Sequence, residues 1–374
     1  MARSHEGTDA PIFFETYAQC REAFLATATR IGAQVEGHLH PDCRGPDGSE
    51  LAIDIAFFGP RDARRLFVLS SGTHGCEGFA GSAVQLNTMR RLDELMGEAD
   101  DTALLFVHGV NPYGWAYFSR TNENQVDLNR NFIDFGAKPP EHSLAPDIQR
   151  LSTYSTVKGP DLEKIIAGFS ELAEIHGLEA AADALQCGQY FQTDGVGFGG
   201  LGEQWSNVTM RSIWSKYLGG RDKIGWIDLH TGLGRYGEPV ILNFDPPGTT
   251  AHNIVLSWWG EAALAASNAA FRSGARPNYS GLLLQAAQDT ALTFGSVLAG
   301  AVIEFGTFAP IEAAKSLWID RWLRNLPDGA ETNSVERLRA EALRFFYPNE
   351  IEWNHKVLEN GWRIIAPAFR EFAR

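Results

Sequence analysis

Short apolar runs recur along the chain at Leu51–Phe58, Leu66–Leu69, Leu104–Val107, Ile224–Leu229, Val240–Phe244 and Ala301–Phe305, and they are rich in Ile, Val and Phe. Runs of this length and composition predict buried strands. Longer stretches repeat apolar positions at helical spacing, and these predict helices over Phe13–Ile31, Ala80–Met96, Asp161–Leu185, Ser206–Leu218, Ala251–Phe271, Ile311–Leu323, Val335–Phe346 and Glu352–Phe372. Strands that alternate with helices in this way imply an α/β fold, with a mostly parallel or mixed central sheet flanked by helices on both faces. The chain has no Pro/Gly/Ser linker with a composition shift and no internal repeat, so a single domain over residues 1–374 is expected, with a helical and Gly-rich insertion around 145–205. Within it, Gly188–Gly202 is the clearest irregular stretch and a candidate cover for a site.

Composition narrows the function classes. The 374 residues are 44% hydrophobic and 21% charged, with a formal net charge of −14. Clustered Lys and Arg are missing, which argues against a nucleic-acid backbone or an anionic membrane surface as a partner. The first ten residues contain no apolar stretch, and no run approaches the length of a membrane span, so a cytoplasmic location is expected. Cys20, Cys43, Cys76 and Cys187 are far apart and show no C-x-x-C pair, which excludes a disulfide framework and a zinc ribbon. Cys76 reads as a small half-buried thiol.

The candidate chemistry lies at the ends of the predicted strands. His74 and Glu77 stand three residues apart just after the run ending at Leu69, and Gly72, Gly75 and Gly78 free the backbone to turn tightly there. This is the spacing of a zinc-ligand pair, placed at the carboxyl edge of the sheet, where open α/β proteins bind ligands. His230, also at a strand end followed by glycine, is the candidate third ligand, and Asp228 two residues earlier points to the same strand face. Glu304 is an acid in an otherwise apolar strand, a placement that raises its pKa unless it is paired. It suits a general base for a metal-activated water. The polar stretch Asn111–Phe132 carries Arg120, a candidate oxyanion stabiliser, and Asn129 with Arg130, a candidate clamp for a substrate carboxylate.

The ordered set His74-x-x-Glu77, Asn111-Pro-x-Gly114, Arg120, Asp127-Leu-Asn-Arg-Asn131, His230 and Glu304 resembles the zinc carboxypeptidase superfamily, which includes aspartoacylase and succinylglutamate desuccinylase. Within it the chain is most similar to a little-characterised bacterial branch known as a domain of unknown function. The words carrying that likeness are Ser71-Gly-Thr-His-Gly-Cys-Glu-Gly-Phe-Ala-Gly-Ser82, Val126-Asp-Leu-Asn-Arg-Asn-Phe132, Gly188-Gln-Tyr190, Ile227-Asp-Leu-His-Thr-Gly-Leu-Gly234, Glu304-Phe-Gly-Thr307 and Asp320-Arg-Trp-Leu323, and it runs from Tyr17 to Trp353. The resemblance implies a three-layer zinc-carboxypeptidase-like fold. It also implies one Zn²⁺ on His74, Glu77 and His230, with Glu304 as base, Arg120 on the oxyanion, and Asn129 with Arg130 on a carboxylate. A tyrosine upstream of the base also acts in digestive members, and the candidate here is Tyr279.

Competing motifs lack their context. His38-Leu-His40 and Cys43 offer metal donors, yet they sit in a Pro- and Gly-rich stretch that predicts a surface turn. Gly195-Val-Gly-Phe-Gly-Gly200 spells a dinucleotide-binding pattern with no strand just before it, which predicts a flexible loop. Trp258, Trp259, Trp318 and Trp322 are expected in the core. The expected function is a zinc-dependent hydrolase cleaving an amide bond of a small molecule or short peptide with a free carboxylate, either a carboxypeptidase or an N-acyl amino acid deacylase. The alternative is a non-catalytic binding protein on the same scaffold.

Overall fold

A computed structural model of the chain describes residues 11–97, 99, 101–270 and 279–374, and side chains except those of residues 268–270. Its strands are β1 (Gln34–Arg44), β2 (Glu50–Phe58), β3 (Arg65–Ser71), β4 (Thr102–His108), the two-residue pair β5 (Ser155–Thr156) and β6 (Gly159–Pro160), β7 (Lys223–Gly232), β8 (Pro239–Leu242) and β9 (Val297–Gly306). Seven of them form one sheet in the order β1-β2-β4-β3-β7-β9-β8. The middle of the sheet, β4-β3-β7-β9, is parallel, whereas β1, β2 and β8 pair antiparallel at its edges. The sheet is therefore mixed.

Helices cover both faces because the central strands are apolar on both. Phe67 and Leu69 of β3 join a core with Phe24, Phe79, Trp258, Ile365 and Phe369 from the helices Tyr17–Arg30, Gly78–Arg90, Thr250–Trp259 and Ile351–Ala373. Leu66 and Val68, pointing the other way, pack with Met210, Trp214, Leu283 and Ala287 from Trp205–Tyr217 and Leu283–Thr293. Each large side chain buried in this way stabilises the fold by roughly 1.5–3 kcal/mol. Residues 144–196 contribute a smaller cluster of their own, in which Leu144, Ile148, Ile165, Leu185 and Val196 pack with Trp318 of the helix Pro310–Arg324. Among the described residues no helix is long and apolar enough to cross a membrane.

Three expected helices are each divided. Ala80–Met96 breaks at Arg91, where the backbone leaves helical geometry. Asp161–Leu185 breaks at Gly177 (φ 91°) and Ala251–Phe271 at Gly260 (φ 80°), where a left-handed backbone ends one helix and starts the next. The end of the last of these, Phe271, lies outside the described residues. Phe13–Ile31 starts later, at Tyr17, because Thr16 and Gln19 form a reciprocal capping box. The helix Leu283–Thr293 and strand β1 were not expected.

The predicted turn at His38 and His40 is instead part of β1, a mostly exposed edge strand whose polar positions hide its strand character. His40 is buried there, and its Nδ1 accepts from the amides of Asp42 and Cys43, so it is a structural residue. All four cysteines are free, and Cys76 is fully buried rather than half-buried. Trp258, Trp318 and Trp322 are core residues.

Candidate metal centre

The site forms where β3, β7 and β9 end. β3 stops at Ser71, Gly72 turns with φ 72°, and the next residues enter a short 3₁₀ turn (Gly75–Glu77) that runs into the helix Gly78–Arg90. His74 and Glu77 sit on that turn. Of the glycines around it, Gly75 and Gly78 are required by proximity, not by dihedral angle. A Cβ on Gly75 would lie 2.1 Å from the backbone of Gly114, and one on Gly78 would lie 2.5 Å from the Trp115 ring. The ligand turn is thus pressed onto the helix Pro112–Ala116, whose N-terminus is capped by Asn111 through a bond from the Gly114 amide.

β7 brings His230 alongside β9, where it is the register partner of Glu304. Nδ1 of His74 lies 2.9 Å from Glu77 Oε1, Nδ1 of His230 lies 2.9 Å from Glu77 Oε2, and the two Nδ1 atoms are 3.2 Å apart. On the far sides of the rings, His230 Nε2 is 2.7 Å from Asp228 Oδ2 and His74 Nε2 is 3.2 Å from Asp127 Oδ1. Asp228 accepts from His230 Nε2 and so fixes that ring with Nδ1 turned to Glu77, while His74 Nε2 sits between Asp127 and Arg120 with its Nδ1 also turned to Glu77. Two imidazole Nδ1 atoms and a carboxylate converge on one buried point, an arrangement that suits a cation once the rings are deprotonated. The demand is visible in the titration of His230. Burial alone would lower its pKa, but Asp228 and Glu77 push it well above the ordinary value. The donor atoms of His74, Glu77 and His230 all lie within 4.8 Å of one another and the three residues are buried. Two imidazoles and a carboxylate form a donor set that fits Zn²⁺.

Asp228 is fixed in turn by hydrogen bonds from Ser70 Oγ (2.6 Å) and Thr73 Oγ1 (3.1 Å), and Trp226 Nε1 donates to Ser70 Oγ. Glu77 Oε2 also accepts from the Thr231 amide. Among the described residues Glu304 has no arginine partner, and its Oε2 is buried without a hydrogen bond. Burial, with Glu77 adding negative charge, raises its pKa to about 7.

Asp127, which the sequence offered only as part of a motif, organises the other half of the site. It forms an ion pair with Arg120, whose Nη2 also lies 2.7 Å from His74 Nε2. Burial alone would raise the pKa of Asp127, yet Arg120 and Arg130 hold it well below the usual carboxylate range. Its position two residues before Asn129 in a dense polar run was the available signal. Arg130 donates from Nε to the Gln186 carbonyl and from Nη1 to that of Asn129, and its guanidinium lies 4.6 Å from the centre of the Tyr279 ring. Asn129 Oδ1 accepts from the Leu283 amide. Tyr279 reaches the site, but its hydroxyl donates to Gln186 Oε1, which makes it a wall of the cavity and a partner of Arg130.

These groups line one cavity of about 200 Å³ with apolar walls, among them Leu242, Val302, Val196, Leu317 and Phe346. The walls were not expected from the sequence. The Gly188–Gly202 stretch does border the cavity, through Val196 and Gly197. Asn131 ties it down by donating to the carbonyls of Gly199 and Gly202.

Fold and site together define a mixed α/β protein with a buried His-Glu-His metal-type centre at the carboxyl edge of its parallel strands. The chain belongs to the family described as Protein of unknown function (DUF2817), whose model matches residues 13–360. No curated protein matches it. Among solved structures it is similar to carboxypeptidase A from Helicoverpa armigera, at 13% identity over 88% of this chain and 73% of that one, with a TM-score of 0.43. It is also similar to bovine thrombin-activatable fibrinolysis inhibitor, solved with tick carboxypeptidase inhibitor, at 12% identity over 94% and 98% of the two chains, with a TM-score of 0.42. A metallo-carboxypeptidase from Pseudomonas aeruginosa, solved with (2-guanidinoethylmercapto)succinic acid, matches at 15% identity over 87% and 67%, with a TM-score of 0.40.

Proposed function

We propose that the protein is a zinc-dependent hydrolase that cleaves an amide bond in a small substrate bearing a free carboxylate. The observation that carries this is the convergence of His74 Nδ1, His230 Nδ1 and Glu77 beside a carboxyl group, Glu304, whose Oε2 has no partner. Zn²⁺ held by His74, Glu77 and His230 would supply Lewis acidity toward the amide carbonyl and toward water.

The chain's own groups do the rest. Glu304 takes a proton from the attacking water and returns it to the departing amine nitrogen. Arg120 remains charged, because Asp127 and Glu77 outweigh the burial that would discharge it. It stabilises negative charge as it builds on the carbonyl oxygen. Arg130 is anchored at Nε and Nη1 by backbone carbonyls, so it meets the substrate carboxylate without first losing side-chain freedom. Asn129, with its carbonyl oxygen already occupied, offers its amide as a donor to the same carboxylate. Water adds to the carbonyl carbon, the C–N bond breaks, and an acid and an amine leave.

The test is metal content followed by turnover. Purified protein should hold one zinc per chain, and His74→Ala should lose it. Glu304→Gln should keep the zinc while abolishing hydrolysis, which also separates an enzyme from a binding protein. Protein without zinc, or a His74→Ala variant unchanged in both metal content and hydrolysis, ends this assignment.

A further inference from the structure

Resting on that hydrolase assignment, we infer that the substrate is an N-acyl amino acid with a single carboxylate, an apolar side chain and an uncharged apolar acyl group.

Three apolar clusters contribute walls to the cavity that holds the metal-ligand set. In one, Leu242 and Val302, register partners on β8 and β9, pack with Phe244. The Phe244 ring lies 5.8 Å from that of Tyr279, which stacks in turn beneath Arg130. The apolar wall and the carboxylate clamp are therefore continuous. A substrate carboxylate at Arg130 places the neighbouring side chain against Leu242, Val302 and Phe244. In a second, Leu185 and Val196 pack with Leu317, and in a third Ala313 packs with Phe345 and Phe346. These walls leave apolar surface for the acyl group as well.

Charge excludes the alternatives. Among the described residues lining the cavity, the cations are Arg120 and Arg130 and the carboxylates are Glu77, Asp127 and Glu304. Glu77 belongs to the ligand set, Asp127 is paired with Arg120, and Glu304 is the base. Arg130 is the cation left for a substrate anion. A second carboxylate, as in an aspartyl or succinyl group, would meet apolar wall, and the ammonium of a free dipeptide would find no uncommitted acid. An unpaired charge in such surroundings is strongly disfavoured.

Size disfavours a longer chain. The cavity of about 200 Å³ is smaller than the ~300 Å³ of ordinary ligand clefts. The wall at Val196 is held in place: the Val196 amide donates to Gln149 Oε1, Gln149 Nε2 donates to the Val196 carbonyl, and Arg321 donates to the carbonyls of Asp194 and Ser152.

The experiment measures turnover by the zinc-loaded wild type and calorimetric binding to zinc-loaded Glu304→Gln. Its panel is N-acetylleucine, N-acetylphenylalanine, N-acetylaspartate, alanylleucine and N-benzoyl-glycylglycylphenylalanine. The two apolar N-acetyl amino acids should bind and react at least tenfold better than the other three. Leu242→Arg should reverse the order between N-acetylleucine and N-acetylaspartate. Preferred hydrolysis of the dicarboxylate, the dipeptide or the longer peptide would overturn the substrate inference while leaving the hydrolase assignment intact. Selective binding of the apolar N-acetyl compounds without turnover would support the substrate inference and remove the hydrolase assignment. No binding and no turnover across the panel would overturn both.

Discussion

Asp228 and His230 stand two residues apart on β7, and the aspartate Oδ2 is 2.7 Å from the histidine Nε2. Because side chains alternate along a strand, this spacing holds the carboxylate on the same face as the ring it orients. The consequence is a fixed ring orientation, with Nδ1 turned toward Glu77 and His74.

Asp228→Asn should therefore weaken zinc binding by about 10–100-fold, the usual cost of losing a partner behind a ligating histidine. The fold should survive, because Ser70 and Thr73 both reach Oδ1 and can still bond to an amide oxygen placed there. Competition with a chromogenic chelator measures the affinity. A change below twofold would show that the ring is held by packing alone.

Glu304 should govern the acid limb of the rate profile. Its pKa is raised to about 7 by burial and by Glu77, and a cation bound beside it pulls that value down. The base works only when ionised, so kcat/KM should fall as pH drops through a pKa at or below about 7. A profile flat between pH 8 and pH 4 would exclude a carboxylate base.

His108 should make the protein acid-sensitive. It is buried at the end of β4, with Nδ1 unpaired, and burial together with nearby Arg21 lowers its pKa to about 3. In the unfolded chain it takes up a proton near its ordinary value, so the stability it contributes is complete above about pH 6.5 and declines as pH falls from there toward 3. Between pH 7 and pH 5 the loss should be about 2 kcal/mol. Comparing urea midpoints for wild type and His108→Gln at both pH values isolates this part. An identical pH dependence in the two proteins would rule it out.

Gly78→Ala should cost about 1–3 kcal/mol through overpacking, since the new methyl would lie 2.5 Å from the Trp115 ring. The adjacent ligand turn should shift with it and bind zinc more weakly. Thermal unfolding with and without zinc measures both. An unchanged midpoint and affinity would mean the Trp115 ring yields freely.

The sequence was most informative where local chemistry alone sets the outcome. The apolar runs of β3, β4, β7 and β9 are legible because strands buried on both faces need apolar residues at every position. His74, Glu77, His230 and Glu304 stand out because each places a polar group at or near the end of such a run. β1 was not legible, since an exposed edge strand needs few apolar residues. The helix breaks at Gly177 and Gly260 were missed because a glycine inside a periodic pattern is tolerated as often as it interrupts.

What the sequence determined by itself is the set of chemical groups and the strand ends that carry them, because strand burial and turn geometry are local properties. What only the tertiary structure decided is their convergence and surroundings. β7 and β9 are neighbours, so His230 meets Glu304, and Asp127 reaches His74 across 53 positions of chain. Leu242, Val196 and Phe346 come from distant segments to form one apolar cavity. Contacts between residues so far apart in sequence depend on how the sheet is ordered, and no local pattern specifies that order.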